Sequence, residues 1–149
     1  SYVSPDVVTS VLDLFEEEYG NEAPLTITRG KVHDYLGMTI DYTEDGKVKI
    51  TMIDYIKGML AELPHDMTGE SATPAAHHLF QVNEDAKKLD EPTAILFHHN
   101  VAKLLFLCKR ARPDVQTSVA FLCTRVKAPD IDNYKKLTRT MRFLRGTVN

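Results

Sequence analysis

The sequence predicts an α+β fold in which one helix and a β-hairpin precede a mainly α-helical bundle. Three observations predict it. Apolar residues recur at helical spacing over residues 7–19, alternate with period two over residues 36–42, and return to helical spacing from residue 53 onward. At 149 residues the chain can hold one domain with a real core, or two small subdomains.

Each element has a local cause. Ser4-Pro5-Asp6 reads as a helix start: a capping hydroxyl, proline at the first helical position, and an acid in the first turn. Val7, Val8, Val11, Leu12, Phe15 and Tyr19 continue at helical spacing until Gly20, and a turn-rich gap with Asn21 and Pro24 follows. Leu36, Met38, Ile40 and Tyr42 then alternate with Gly37, Thr39 and Asp41, as in a half-buried strand. Thr43-Glu44-Asp45-Gly46 supplies the turn chemistry, and Val48-Lys49-Ile50 returns as the second arm of a hairpin.

Ile53, Ile56, Met59, Leu60 and Leu63 make a second amphipathic helix, which Pro64 stops. Residues 64–91 lack periodicity and read as a long loop or linker. Residues 92–111 are apolar on nearly every side, which predicts a central, buried helix. Pro113 starts another helix, with Val115, Val119, Leu122 and Val126 on one face, and Pro129-Asp130 break it. Tyr134, Leu137, Met141 and Leu144 form the single packing seam of the last helix. The chain thus divides into residues 1–50, a first bundle helix at 51–63, a linker at 64–91 and a helical segment at 92–149.

Charge is distributed unevenly. Residues 103–149 carry eleven Lys/Arg against three Asp/Glu, whereas residues 1–102 carry seven against eighteen. A basic C-terminal third suggests a polyanionic partner. At 100° per residue, Lys135, Lys136, Arg139 and Arg142 fall opposite the apolar seam of the last helix, with Arg145 nearer the edge. Such a stripe either neutralises phosphates without reading sequence or simply keeps a helix soluble.

Intrinsic chemistry finds no support. Cys108 and Cys123 lie among apolar neighbours, where a thiol is inert, and their pattern suits reduced thiols in a cytoplasmic or nuclear protein. The pairs His77-His78 and His98-His99 point about 100° apart on a helix and chelate poorly, and no Cys-x-x-Cys or His-x-x-x-His spacing occurs. Glycines are scattered, with no phosphate-cradling loop and no Gly-x-Ser-x-Gly. The run Glu16-Glu17-Glu18 reads as a solvated helix face. No catalytic residue, metal ligand or cofactor site is expected, and no apolar run approaches the roughly 20 residues of a membrane helix.

Three ordered motifs carry more. Tyr35-Leu36-Gly37-Met38-Thr39-Ile40, Ala111-Arg112-Pro113-Asp114-Val115 and Arg142-Phe143-Leu144-Arg145-Gly146-Thr147 together resemble the pol polyprotein of copia-type LTR retrotransposons. The resemblance runs from about Val7 to Thr147. It is similar to that family's Phe-Leu-Gly-hydrophobic-x-Ile, Thr-Arg-Pro-Asp-Ile and Arg-Tyr-Leu-Lys-Gly-Thr signatures. Tyr55-Ile56-Lys57-Gly58-Met59-Leu60 resembles its Tyr-x-x-x-Leu-Leu helix, Thr73-Pro74 its linker Thr-Pro, and Val101 to Leu107 its Val-Gly-x-Leu-x-Tyr-Leu segment. Departures are Phe97-His98, where the family has Tyr-Arg, and Ala102, where it has Gly.

The resemblance implies the part of a reverse transcriptase that follows the active-site hairpin: the end of the palm, then the thumb and connection, before RNase H. Its Tyr-x-Asp-Asp, which binds the catalytic magnesium of the full polymerase, would stand just before Ser1. Gly37 and Met38 would then belong to a primer-grip-like hairpin holding the primer end. Arg112, Lys135, Lys136, Arg139, Arg142 and Arg145 would face nucleic acid. The implied partners are an RNA/DNA or DNA primer-template duplex, the rest of the palm and fingers, and RNase H. The wide, shallow minor groove of a hybrid favours recognition of shape and backbone. The rival expectation is a retroelement-derived helical module, retained by a host for protein interaction.

Overall fold

The computed structural model describes residues 4–148, so the expected site of the Tyr-x-Asp-Asp, ahead of Ser1, lies outside the described residues. The fold is α+β: a helix, a small antiparallel sheet, and then helices. Ser4 and Pro5 open α1 (Pro5–Tyr19) as expected, although the cap works through backbone, with the Val7 and Val8 N–H donating to Ser4 O at 3.0 and 3.2 Å. Among the described residues nothing buries the apolar face of α1. None of its residues is buried, and Leu14, Tyr19 and Val7 are each more than half exposed.

The hairpin motif folds differently from its alternation. Two hairpins share a three-stranded sheet ordered β1 (Val32–Tyr35), β2 (Met38–Asp41), β3 (Lys49–Thr51), antiparallel throughout. Tyr35 pairs with Met38, so Leu36-Gly37 is a two-residue turn and not the start of a strand. Both turn residues have positive φ, 51° for Leu36 and 75° for Gly37, the conformation of the turns that match strand twist. The alternation does not reveal the extra strand, because Leu36 occupies a left-handed position normally signalled by Asn or Asp. The second turn follows expectation, with Gly46 at φ 73° and Asp41 opposite Lys49.

Gly37 is needed at the first turn on two counts. An added Cβ would sit 3.3 Å from Cδ2 of Tyr55, and the φ value strains any L side chain. Gly37→Val is expected to cost about 1–3 kcal/mol in urea unfolding. A loss below about 0.5 kcal/mol would mean that the turn rebuilds with another backbone.

Beyond the sheet the chain builds one core. Met52, 2% exposed, hands the chain into α2 (Ile53–Ala61), whose Ile56 and Met59 are buried. The helix ends before Pro64, as proline demands. Asp90 caps α3 (Glu91–Cys108), accepting from the Thr93 N–H at 3.3 Å. Phe97, Val101, Leu104 and Leu107 bury one side of α3, while Ile95 and Leu105 face outward at 50% and 37% exposure. An all-round apolar helix is expected to be buried all round; α2, α4 and α5 pack against α3, and the flank with Ile95 and Leu105 stays open. A short 3-10 turn at Pro113–Val115 leads into α4 (Gln116–Cys123), and α5 (Ile131–Gly146) closes the bundle.

Residues 64–90 do not hang between units. Met67 is fully buried and Leu79 nearly so, both within the core of the helices. The segment's end is stitched to the start of α5 by Leu89 N–H to Pro129 O and Ile131 N–H to Lys87 O, each 3.0 Å. It is an ordered strap held by these backbone bonds at its end and by side chains of α5 along its length, neither of which leaves a periodic pattern.

Candidate nucleic-acid interface

The candidate interface centres on α5, whose frame is set at its N-terminus. Asp130 and Asn133 form a reciprocal capping box, with Asn133 N–H to Asp130 Oδ1 at 2.8 Å and Asp130 N–H to Asn133 Oδ1 at 3.2 Å. Asp130 is almost fully buried and its carboxylate also lies 3.7 Å from Lys88 and 4.0 Å from Arg125. Leu137, Met141 and Leu144 then turn into the core as the seam requires. Tyr134 closes the seam against the strap, donating to Asp66 Oδ2 at 2.9 Å; burial first, and that carboxylate second, push its phenol up to about 12.

The far side of α5 is where expectation and structure part. Lys135, Lys136, Arg139 and Arg142 share a face as helical phase dictates, but only Lys135 is exposed to solvent. The strap covers the others. Lys136 is 7% exposed, donating to Gln81 O at 2.6 Å, pairing with Asp132 at 2.7 Å, and standing 4.8 Å from the Phe121 ring centre. Arg139 donates to Thr73 Oγ1 at 2.8 Å. Arg142 reaches Thr68 O at 2.6 Å and Asp66 O at 3.1 Å, and Arg145 reaches Met67 O at 2.7 Å and Gly69 O at 3.1 Å. Phase arguments see one helix at a time, so they could not show that a strap of irregular chain lies over the polar face.

What remains open is a cleft of about 340 Å³ between strap and helix. Its walls bring together Lys135, Lys136, Arg139 and Arg142 from α5 with Glu70, Ser71 and His78 from the strap. Among the strap residues, His78 stands out in the sequence only as half of a poorly chelating pair, and Glu70 and Ser71 carry no signal beyond the nearby Thr73-Pro74. Nearby, hydroxyls tie the strap to the helices: Ser118 and Thr140 lie 2.6 Å apart, and Thr140 donates to Pro74 O at 3.1 Å.

Arg112 sits elsewhere and is engaged. Its guanidinium forks onto Asp114 (Nε to Oδ1 2.9 Å, Nη2 to Oδ2 2.7 Å) and also reaches Thr147 O at 3.0 Å and Thr147 Oγ1 at 2.7 Å. Two sequence motifs 35 residues apart thus meet in one bracket. The hydrogen bonds from Arg112 hold the Asp114 carboxyl below its usual range. Arg112 and Thr147 border a second cleft, of about 360 Å³, with Lys49 and Ile50 of β3 and Ile56 of α2. Gly37 forms the tip of the first hairpin and Met38 packs on the edge of the core; neither lines the α5 cleft.

Other groups stay quiet. Burial raises the thiols of Cys108 and Cys123, and both are free. Among the described residues no group of three or more His, Cys, Asp or Glu could hold a metal ion, and no helix is long and apolar enough to cross a membrane.

Over 120 residues, 79% of its length, the chain is 26% identical to the "Putative transposon Ty5-1 protein" of Saccharomyces cerevisiae. The match spans about 38% of that relative's own length. No family model matches the chain, and no solved structure matches it. The similarity supports a retrotransposon-related origin.

Proposed function

We propose that this chain is a portion of a retroelement reverse transcriptase that holds a primer-template duplex by its backbone and performs no polymerase chemistry by itself. The observation that carries the proposal is the convergence of Lys135, Lys136, Arg139 and Arg142 on one cleft in the basic third of the molecule. The retrotransposon-related relative supports a retroelement origin, and the order of the sequence motifs supports the reverse-transcriptase reading. In it, the paired hairpins with Gly37 and Met38 approach the primer end, and α5 faces the phosphates. Arg112 acts behind α5 as a brace for its C-terminus. The duplex is an RNA/DNA hybrid or DNA, and magnesium belongs to the polymerase active site outside this chain.

The test is fluorescence anisotropy of an RNA/DNA hybrid titrated with the chain across a salt series. A log–log slope of about −2 to −3, from roughly three phosphates engaged, is expected. Lys135→Glu should flatten that slope by about one or more, because Lys135 is the exposed member of the cleft and has no fold-holding bond. Arg139→Glu is unsuited to the purpose, since it also breaks the bond to Thr73. Absence of binding at low salt overturns the proposal.

One observation favours a second reading, a host-retained protein-interaction module. The apolar face of α1 is uncovered, with Leu14 at 63% and Phe15 at 46% exposure. Patches of this kind mark protein contacts. The reading frame upstream separates the two: a Tyr-x-Asp-Asp there favours the polymerase, and its loss favours the module.

A further inference from the structure

We infer that the α5 cleft receives a phosphomonoester, the terminal phosphate of a strand end or of a mononucleotide, in preference to the phosphodiesters along a duplex. The inference rests on the polyanion reading of the same face and gives it a ligand class. Its first support is how the cations are held. Arg139, Arg142 and Arg145 donate to a threonine hydroxyl and to backbone carbonyls, all neutral acceptors. Among the described residues no carboxylate lies within ion-pair distance of these three, whereas Arg112, Lys136, Lys103 and Lys47 each have one. The strap therefore fixes the guanidinium groups in place and leaves their charge uncompensated, and two of the three, Arg139 and Arg142, line the cleft. That is preorganisation for an anion rather than a closed ion-pair network.

Charge and size narrow the anion. The cleft walls hold four cations, Lys135, Lys136, Arg139 and Arg142, against two carboxylates, Glu70 and Asp132. The excess of two positive charges matches a phosphomonoester, which carries about −1.5 to −2 at neutral pH and offers three acceptor oxygens. A phosphodiester carries one charge. A cleft of about 340 Å³ is also of small-ligand size, and a duplex would span its mouth without entering it. His78 on the wall adds a further donor beside the anion.

The experiment compares two otherwise identical short RNA/DNA hybrids, one bearing a 5′-phosphate and one a 5′-hydroxyl, by anisotropy at fixed salt. Unlabelled AMP and adenosine serve as competitors. The 5′-phosphate form should bind about tenfold more tightly, the equivalent of one added charge-assisted contact. Lys135→Glu should erase the difference, whereas Lys127→Glu, an exposed cation outside the cleft, should keep it. Displacement by AMP but not by adenosine would assign the site to free mononucleotides, and preference without AMP displacement would assign it to strand ends. Equal binding of the two hybrids overturns the inference while leaving duplex binding intact. A preference that survives Lys135→Glu overturns the cleft as its location. Failure of both hybrids to bind removes the polyanion reading as well.

Discussion

Arg112→Ala is expected to lower the free energy of unfolding by about 2–3 kcal/mol in urea titration, with Arg112→Lys in between. Only 14% of the arginine side chain is exposed, and it bridges the Pro113–Val115 turn and the residue that follows α5. Truncation leaves Thr147 O and Oγ1 without this donor, and frees the residues just past α5, Thr147 and Val148. It also removes the guanidinium 5.6 Å from the Phe143 ring centre. Lysine restores a charge near Asp114 but cannot fork to four oxygens. The ion pair with Asp114 is a minor share of the loss, because that carboxylate is 44% exposed and screened. A loss below about 0.5 kcal/mol would sink the bracket reading and return Arg112 to the nucleic-acid face.

The same bracket sets a direction in pH. The Asp114 carboxyl is held below its ordinary value in the folded chain. Its contribution is therefore complete above the unfolded carboxylate range, and disappears as pH falls through the lower folded value. Wild-type stability should decline on acidification more steeply than that of Asp114→Asn, and urea midpoints measured down the acid range would show it. Parallel profiles would remove Asp114 from the linkage.

Legibility in the sequence followed the range of each cause. The start of α1 at Ser4-Pro5, the stop of α2 before Pro64, and the seam of Leu137, Met141 and Leu144 depend on neighbours within one turn, and all were readable. The turn at Leu36-Gly37 was local too, yet its signal was ambiguous, since a leucine at φ 51° breaks the usual code and alternation ran through it. The strap was unreadable because Met67 and Leu79 enter the core singly, without a period, and its bonds come from arginines more than 65 residues away. So helical phase found the cationic face of α5 correctly and misjudged its exposure. Arg112 was found as a motif residue, but the partner that explains it, Thr147, belongs to another motif. Nothing short of the fold pairs the two.

Met67→Ala separates the strap as a cover from the strap as half of a site. Met67 is fully buried, and its truncation should cost about 2–4 kcal/mol. Arg145 donates to the Met67 carbonyl and Arg142 to the adjoining Thr68 carbonyl, so a loosened strap releases both guanidinium groups to solvent. Released cations can follow any polyanion, and the salt slope of hybrid binding should steepen as more phosphates are neutralised. Preference for a 5′-phosphate should fall at the same time, because it depends on cations held still around one small cleft. A steeper slope with a lost preference would show that the strap trades bulk attraction for a fixed anion site. Retention of both wild-type slope and preference, in a variant that is destabilised as expected, would mean that the strap serves stability alone and that Lys135 acts without it.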